Sequence, residues 1–276
     1  MKVLDLFSGI GGFSLGLERA GMETVAFCEF DKHAQKVLKK HWPDVPIYDD
    51  VRTLDGKQFR GSVDVVCGGF PCQDLSVAGK KAGFDGARSS LYREMLRIIG
   101  ECMPRYAIFE NVTGLLTGES GKWFGQFLYD LAEIGFNAEW HCIPASELGA
   151  HHHRDRVWII AYPKELQRNG KQGDGNNKES QISKPRSCSG EEVSTNANMQ
   201  RCEGFAKIAH NIKQQVELMR SAEITRERFH LSEPPLYRAD DGPSGRSHRL
   251  KQLGNAVVPQ IPEAIGRAIM EASKNG

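Results

Sequence analysis

A chain of 276 residues, 39% hydrophobic and 26% charged, has an ordinary globular composition and enough length for one large α/β domain plus a smaller one. A formal net charge of +1 excludes a protein that binds nucleic acid by bulk charge, so any such surface must come from local clusters of lysine and arginine. No apolar run approaches the roughly 18–20 residues of a membrane helix, and seven cysteines without a C-x-x-C pair argue against a disulfide framework or a zinc ribbon. Reduced thiols in a soluble, cytoplasmic protein are the expectation.

Residues 1–7 read as a strand that runs into a glycine loop, without the cleavage pattern of a signal peptide. The loop, DLFSGIGGF at 5–13, combines close backbone approach to a ligand with the free N–H groups of a helix start. A tight turn alone would also use such glycines. The next strand, 24–28, ends in Glu29, a carboxylate about 20 residues past the loop, where nucleotide-binding folds of the Rossmann type hold a ribose. Asp50, with Asp49 beside it, follows a third short strand and is placed to accept an adenine amino hydrogen.

Apolar runs at 63–67, 106–109 and 157–161 predict buried parallel strands, and residues 91–103 and 124–135 predict the helices between them. The rhythm over 1–163 implies a doubly wound, mostly parallel sheet. GGFPCQDLS at 68–76 follows a buried strand and places Cys72 at the carboxyl edge of the sheet, a position for a nucleophilic thiol. Cys28, Cys67, Cys102 and Cys142 sit in or beside apolar runs and read as buried structural cysteines. Glu110 caps the strand 106–109 in the same crevice, where a protonated carboxyl would donate to a ring nitrogen. In HHHRDR at 151–156, Arg154 and Arg156 alternate with Asp155 and share a face. The adjacent histidines converge poorly on one ion, so no metal site is expected.

From residue 164 the texture changes. Residues 167–204 are rich in Gly, Asn, Ser, Gln and Lys and read as a polar insertion; a helical patch follows near 205–228, and order returns at 250–258 ahead of an amphipathic helix carrying Ile261, Ile265, Ala268 and Ile269. The segment 164–248 has a slight excess of basic over acidic residues.

Taken together, DLFSGIGGF, GFPCQDLS, ENV at 110–112, HRDRV at 153–157 and GNAVVP at 254–259 resemble, in order and spacing, the motifs of the C5-cytosine methyltransferase family over about two thirds of the chain. The resemblance implies a Rossmann-like class I methyltransferase domain formed by 1–163 plus 249–276, with 164–248 as a short, irregular target-recognition region. It implies S-adenosylmethionine as cofactor, held by Phe7, Gly9, Gly11, Gly12, Glu29, Asp50, Val51, Leu91, Asn255 and Ala256. Cys72 would add to cytosine C6, Glu110 would bind the base at N3, Arg154 would contact O2 and Arg156 would support the pocket. Double-stranded DNA is the implied partner, the base flipped out and the loop 76–93 closing with Ser76, Lys80, Lys81 and Arg88 at the backbone. A monomer working beside a cognate restriction endonuclease fits this reading. The chain departs from the family pattern in having His152 where Gln is common, and in a short variable region; Arg238 and Arg246 lie near where its closing motif should fall. An RNA-directed enzyme of the same fold and a catalytically silent binding module are the alternatives.

Overall fold

The computed structural model describes residues 1–71, 90–148, 150, 154–164, 212–215, 217–218 and 252–274. Among these, the elements run β1 (Lys2–Leu6), α1 (Gly12–Arg19), β2 (Glu23–Cys28), α2 (Lys32–His41), β3 (Ile47–Tyr48), β4 (Val65–Gly68), α3 (Ser90–Cys102), β5 (Tyr106–Val112), α4 (Gly114–Thr117), α5 (Lys122–Glu133), β6 (Phe136–Pro144), β7 (Asp155–Pro163) and α6 (Gln260–Lys274).

The strands form one sheet in the order β3-β2-β1-β4-β5-β7-β6. The first five are mutually parallel, whereas β7 inserts antiparallel between β5 and β6. The run 157–161 is therefore a buried strand of opposite direction to the parallel one its composition suggests. A strand covered on both faces is continuously apolar whichever way it runs, so hydrophobicity alone carries no direction.

Each face of the sheet has its own core. On one side α3 and α5 supply Met95, Ile98, Ile99, Phe124 and Phe127 against Leu4, Val66 and Phe109. On the other, α1 and α6 supply Phe13, Leu17, Ile261 and Ile265 against Val3, Ile108, Trp158 and Ile160. Ile212, well inside the expected recognition region, is 2% exposed and belongs to this second core.

The contact between α1 and α6 is built on missing side chains. A Cβ at Gly12 would collide with the Val257 carbonyl, one at Gly16 with the Pro259 carbonyl, and one at Gly266 would lie 2.8 Å from the Ala20 Cβ. The last part of the chain is thus fitted to the first helix at backbone range.

Candidate active site

The glycine loop leaves β1 with Phe7 (φ 52°), Gly9 (φ 55°) and Gly11 (φ 88°) all in the left-handed region. Glycine adopts this conformation freely, but at Phe7 it costs on the order of 1–2 kcal/mol and persists only where the surroundings impose it. The carboxylate of Glu29, at the end of neighbouring β2, helps impose it: Oε2 accepts from the Gly9 N–H at 2.7 Å and Oε1 from the Asp31 N–H at 2.7 Å. Burial pushes the Glu29 carboxyl above its usual range, and the two N–H donors oppose that. Phe30, the next residue, is 71% exposed.

Asp49 and Asp50 have different neighbours. Asp49 is bound to Lys32 at 2.7 Å and to Gln35 at 2.8 Å, tying it to α2. Asp50 is gripped by Arg52, whose Nη2 lies 2.6 Å from Oδ2. The carbonyl of Val51 accepts from Arg97 on α3 at 2.9 Å; the same guanidinium reaches the Leu54 carbonyl, Glu94 and Glu101. Arg97 belongs to no motif, although Glu94 and Glu101 lie at i−3 and i+4 of it, the spacing of an ion-pair cluster on a helix face.

At the carboxyl ends of β4 and β5 the chain comes together again. The side chain of Asn111, 2% exposed, donates to the Phe70 carbonyl at 3.2 Å and accepts from the Val112 N–H, which fastens the loop leaving β4 to β5. A Cβ on Gly69 would lie 3.0 Å from Glu110 Oε2, so this glycine gives the carboxylate its room. The antiparallel register sets Val112 opposite Arg156 and Glu110 opposite Trp158, and Arg156 Nε meets Glu110 Oε1 at 2.8 Å. Burial pushes the Glu110 carboxyl up, and Arg156 and then Arg154 draw it back without cancelling the rise. Arg154 instead donates from Nη1 to the Gly254 carbonyl at 2.6 Å.

A sequence model of C-5 cytosine-specific DNA methylases matches residues 1–234. The chain belongs to this family. Its relatives include the type II methyltransferase M.Eco47II of Escherichia coli, 38% identical over 166 residues, covering 59% of this chain and 40% of that protein. M2.BsuMI of Bacillus subtilis (strain 168) is 39% identical over 165 residues, covering 58% and 42%. The chain spans about two fifths of the length of these relatives. Among solved structures, a Spodoptera frugiperda DNMT2 mutant superposes with a TM-score of 0.61 at 18% identity over 98% of this chain and 99% of that one. The Entamoeba histolytica methyltransferase EhMeth gives 0.61 at 12% identity, covering 98% of each chain. These similarities place the fold with the class I methyltransferases.

In this chain the expected residues fall into separate groups. Phe7, Gly9, Gly11, Gly12 and Glu29 meet at the start of α1, while Asp50 and Val51 follow β3. Glu110, Arg154 and Arg156 gather at the β5–β7 edge. Leu91 is partly buried against the α3–α5 core, and Asn255 and Ala256 lie in the segment after Gly254. Cys72, Ser76, Lys80, Lys81 and Arg88 lie outside the described residues, as do residues 151–153 and the sites of Arg238 and Arg246. Cys28, Cys67 and Cys102 are buried, and burial drives their thiols up, Cys28 to about 12 and Cys102 to about 11. Cys142 departs from expectation: it is exposed on the edge strand β6, whose inward alternation falls on Ile143. Among the described residues no cluster of acidic, His and Cys side chains has the makings of a metal site, and no helix is long and apolar enough to cross a membrane.

Proposed function

We propose that the chain is a DNA cytosine-C5 methyltransferase that uses S-adenosylmethionine and acts on a cytosine turned out of the duplex. The observation that carries this reading is the Glu110–Arg156 pair, held at the sheet edge beside the loop that leads to Cys72. A carboxyl pushed upward by burial yet partnered by a cation suits a group that must hold a proton against a ring nitrogen and stabilise charge on the base. The family, C-5 cytosine-specific DNA methylases, and relatives named as type II methyltransferases support a DNA substrate.

The residues at the other end of the crevice fit the cofactor. Glu29, whose carboxylate can accept more bonds than the backbone gives it, suits a ribose diol, and the N–H-rich turn at 9–12 suits its close approach. The exposed ring of Phe30 suits stacking on a flat heterocycle. Asp50, Val51, Asn255 and Ala256 complete the proposed holding set. When bound, the cofactor supplies an electrophilic methyl group on a sulfonium.

Cys72 adds as thiolate to C6, which moves the C5–C6 electron pair to C5. Glu110 holds a proton toward N3 while this charge builds, and Arg156, fixed by Glu110, faces the base from β7. Once C5 carries the methyl group, a base such as water takes the C5 proton, its electron pair re-forms the C5–C6 double bond, and the C6–S bond breaks to release the Cys72 thiolate. Residues 164–248 would select the sequence, and Ser76, Lys80, Lys81 and Arg88 would touch the DNA backbone.

Bisulfite sequencing of DNA and RNA from cells expressing the chain tests the reading. New methylcytosine in DNA at one short sequence is expected; methylation confined to RNA, or none, overturns it. DNA with 5-fluorocytosine at the target should give a denaturation-resistant complex with the wild type and none with Cys72→Ala.

A further inference from the structure

Arg154 and Arg156 are two residues apart at the start of β7, yet they are put to different uses. Arg156 holds Glu110. Arg154 is half-buried, lies close enough to Arg156 and Glu110 to feel both charges, and gives its Nη1 hydrogen bond to the Gly254 carbonyl at 2.6 Å, 100 residues away in sequence. A half-buried cation beside a second cation is unfavourable unless an acceptor faces it, and a charge-assisted bond to a carbonyl is the stronger kind of hydrogen bond.

The Gly254 carbonyl is not on an isolated loop. It belongs to the turn 252–255, whose continuation carries Val257 and Pro259 onto Gly12 and Gly16 of α1. Ala256 N–H bonds back to the Leu253 carbonyl at 3.3 Å and Ile261 N–H to the Val258 carbonyl at 3.2 Å, while Val257 and Val258 pack on the core shared with α1 and α6, so Arg154 fastens the end of the stretch that lies away from that core. One end is the glycine face of α1, directly after the loop that Glu29 holds; the other is Arg154.

We propose that Arg154 is a positioning residue that fastens residues 254–258 to the base-binding edge and so links the cofactor loop to the pocket around Glu110. This rests on the proposed function for what the two ends bind, but the link itself is a property of the fold. It assigns Arg154 a role away from the base O2 that the motif resemblance suggested. The physical consequence is specific. Loss of Arg154 frees one end of a stretch that lines the cofactor side, so it should act on cofactor binding more than on the chemical step.

Hydrogen exchange on the cofactor-free protein reads the link directly. In Arg154→Ala, amides of 254–258 should exchange about tenfold faster, the scale of one charge-assisted hydrogen bond, while the core of α6 stays protected. Arg154→Lys, which keeps a charged donor, should recover most of the protection. Calorimetry without DNA should give about tenfold weaker S-adenosylmethionine binding for Arg154→Ala, and steady-state rates should show the cofactor KM raised with kcat at saturation within about threefold. Unchanged exchange in 254–258 overturns the proposal, as does an Arg154→Ala protein that binds cofactor normally and loses turnover. If the wild type binds no cofactor, the functional reading falls while the exchange result still decides the link. If Arg154→Ala loses protection throughout α6, Arg154→Gln, a shorter neutral side chain that keeps the aliphatic stem but cannot span to the Gly254 carbonyl, takes its place in the same comparison.

Discussion

Arg156 Nε lies 2.8 Å from Glu110 Oε1, with 21% and 12% of the two side chains exposed. The contact follows from register: β7 runs antiparallel to β5, so Arg156 faces Val112 and reaches diagonally to the residue two positions back on the same face. Arg156 opposes, without cancelling, the rise that burial gives the Glu110 carboxyl. Replacing Glu110 by Gln keeps the shape but leaves the guanidinium facing a neutral amide. The variant should lose about 10²- to 10⁴-fold in kcat, the range for removing a positioned acid, while cofactor affinity stays near wild type. Single-turnover rates with calorimetry check both halves; full turnover by Glu110→Gln would remove the carboxyl from the mechanism.

Glu29 should matter to the cofactor end alone. It braces the left-handed Gly9 turn and is the proposed ribose acceptor, so Glu29→Ala removes a brace and a ligand contact together. Cofactor binding should weaken by about 1–3 kcal/mol, the cost of a charge-assisted hydrogen bond left unmade. Unchanged affinity in calorimetry would leave Glu29 with only the bracing role.

The parts of this fold that the sequence reveals are those where one physical demand dominates. β4, β5 and β7 are buried on both faces and read as apolar runs; α3, α5 and α6 carry a clear helical stripe. β6 escapes the same reading because it is a half-exposed edge strand in which Glu139, Trp140 and His141 interrupt any alternation. Strand direction is not written in hydrophobicity, which is why β7 reads as parallel. At the site, Glu110, Arg154 and Arg156 are visible as motif residues, but the division of labour between the arginines is not. It depends on which acceptor each meets, Glu110 in one case and a carbonyl 100 residues on in the other. Phe30 is unremarked in sequence because an aromatic after a strand looks like core; only its exposure sets it apart.

Asp5 makes stability depend on pH. It is fully buried, Oδ2 accepting from Ser14 at 2.7 Å, and burial raises its carboxyl from 3.8 to about 7. The folded state therefore keeps a proton that the unfolded chain gives up near its ordinary value. The resulting stability is fully present below that value and is lost as pH rises toward about 7. Glu139, raised by burial from 4.5 to about 7, adds in the same direction. Asp5→Asn cannot ionise, so it should fall less in stability than wild type between about pH 5 and about pH 8 and overtake it at the upper end. Urea unfolding at the two pH values checks this; identical slopes would mean that Asp5 is charged in the folded protein.

The glycines of α1 test whether the end of the chain is part of the same folding unit as the start. Gly16→Ala should destabilise by about 1–3 kcal/mol, because the new methyl meets the Pro259 carbonyl, which is backbone and gives little. Gly125→Ala, in α5 with open space around it, should instead stabilise by about 0.5–1 kcal/mol through helix propensity. Denaturant melts of both variants give the contrast. Equal effects would mean that the α1–α6 contact does not contribute to the cooperative unit.

The choice of DNA sequence should lie in 164–248, but not in all of it. Ile212 is buried in the core shared by α1, α6 and β7, and it shares a short helical turn with Lys213, Gln214 and Gln215. Lys213 lies near enough to His141 of β6 to help lower that imidazole's pKa, after burial. This short stretch therefore behaves as part of the catalytic body, an anchor for the chain on either side of it. An exchange of the whole region with that of a relative removes the anchor along with the reading surface and should cost stability. An exchange of 164–211 and 219–248 that keeps 212–218 should preserve cofactor binding and move methylation to the donor's sequence. Bisulfite sequencing reads the target, and calorimetry with S-adenosylmethionine confirms a folded site. A chimera that binds cofactor and still methylates the original sequence would place target choice outside the exchanged segments. If the full exchange proves as stable as the anchored one, Ile212 is not an anchor.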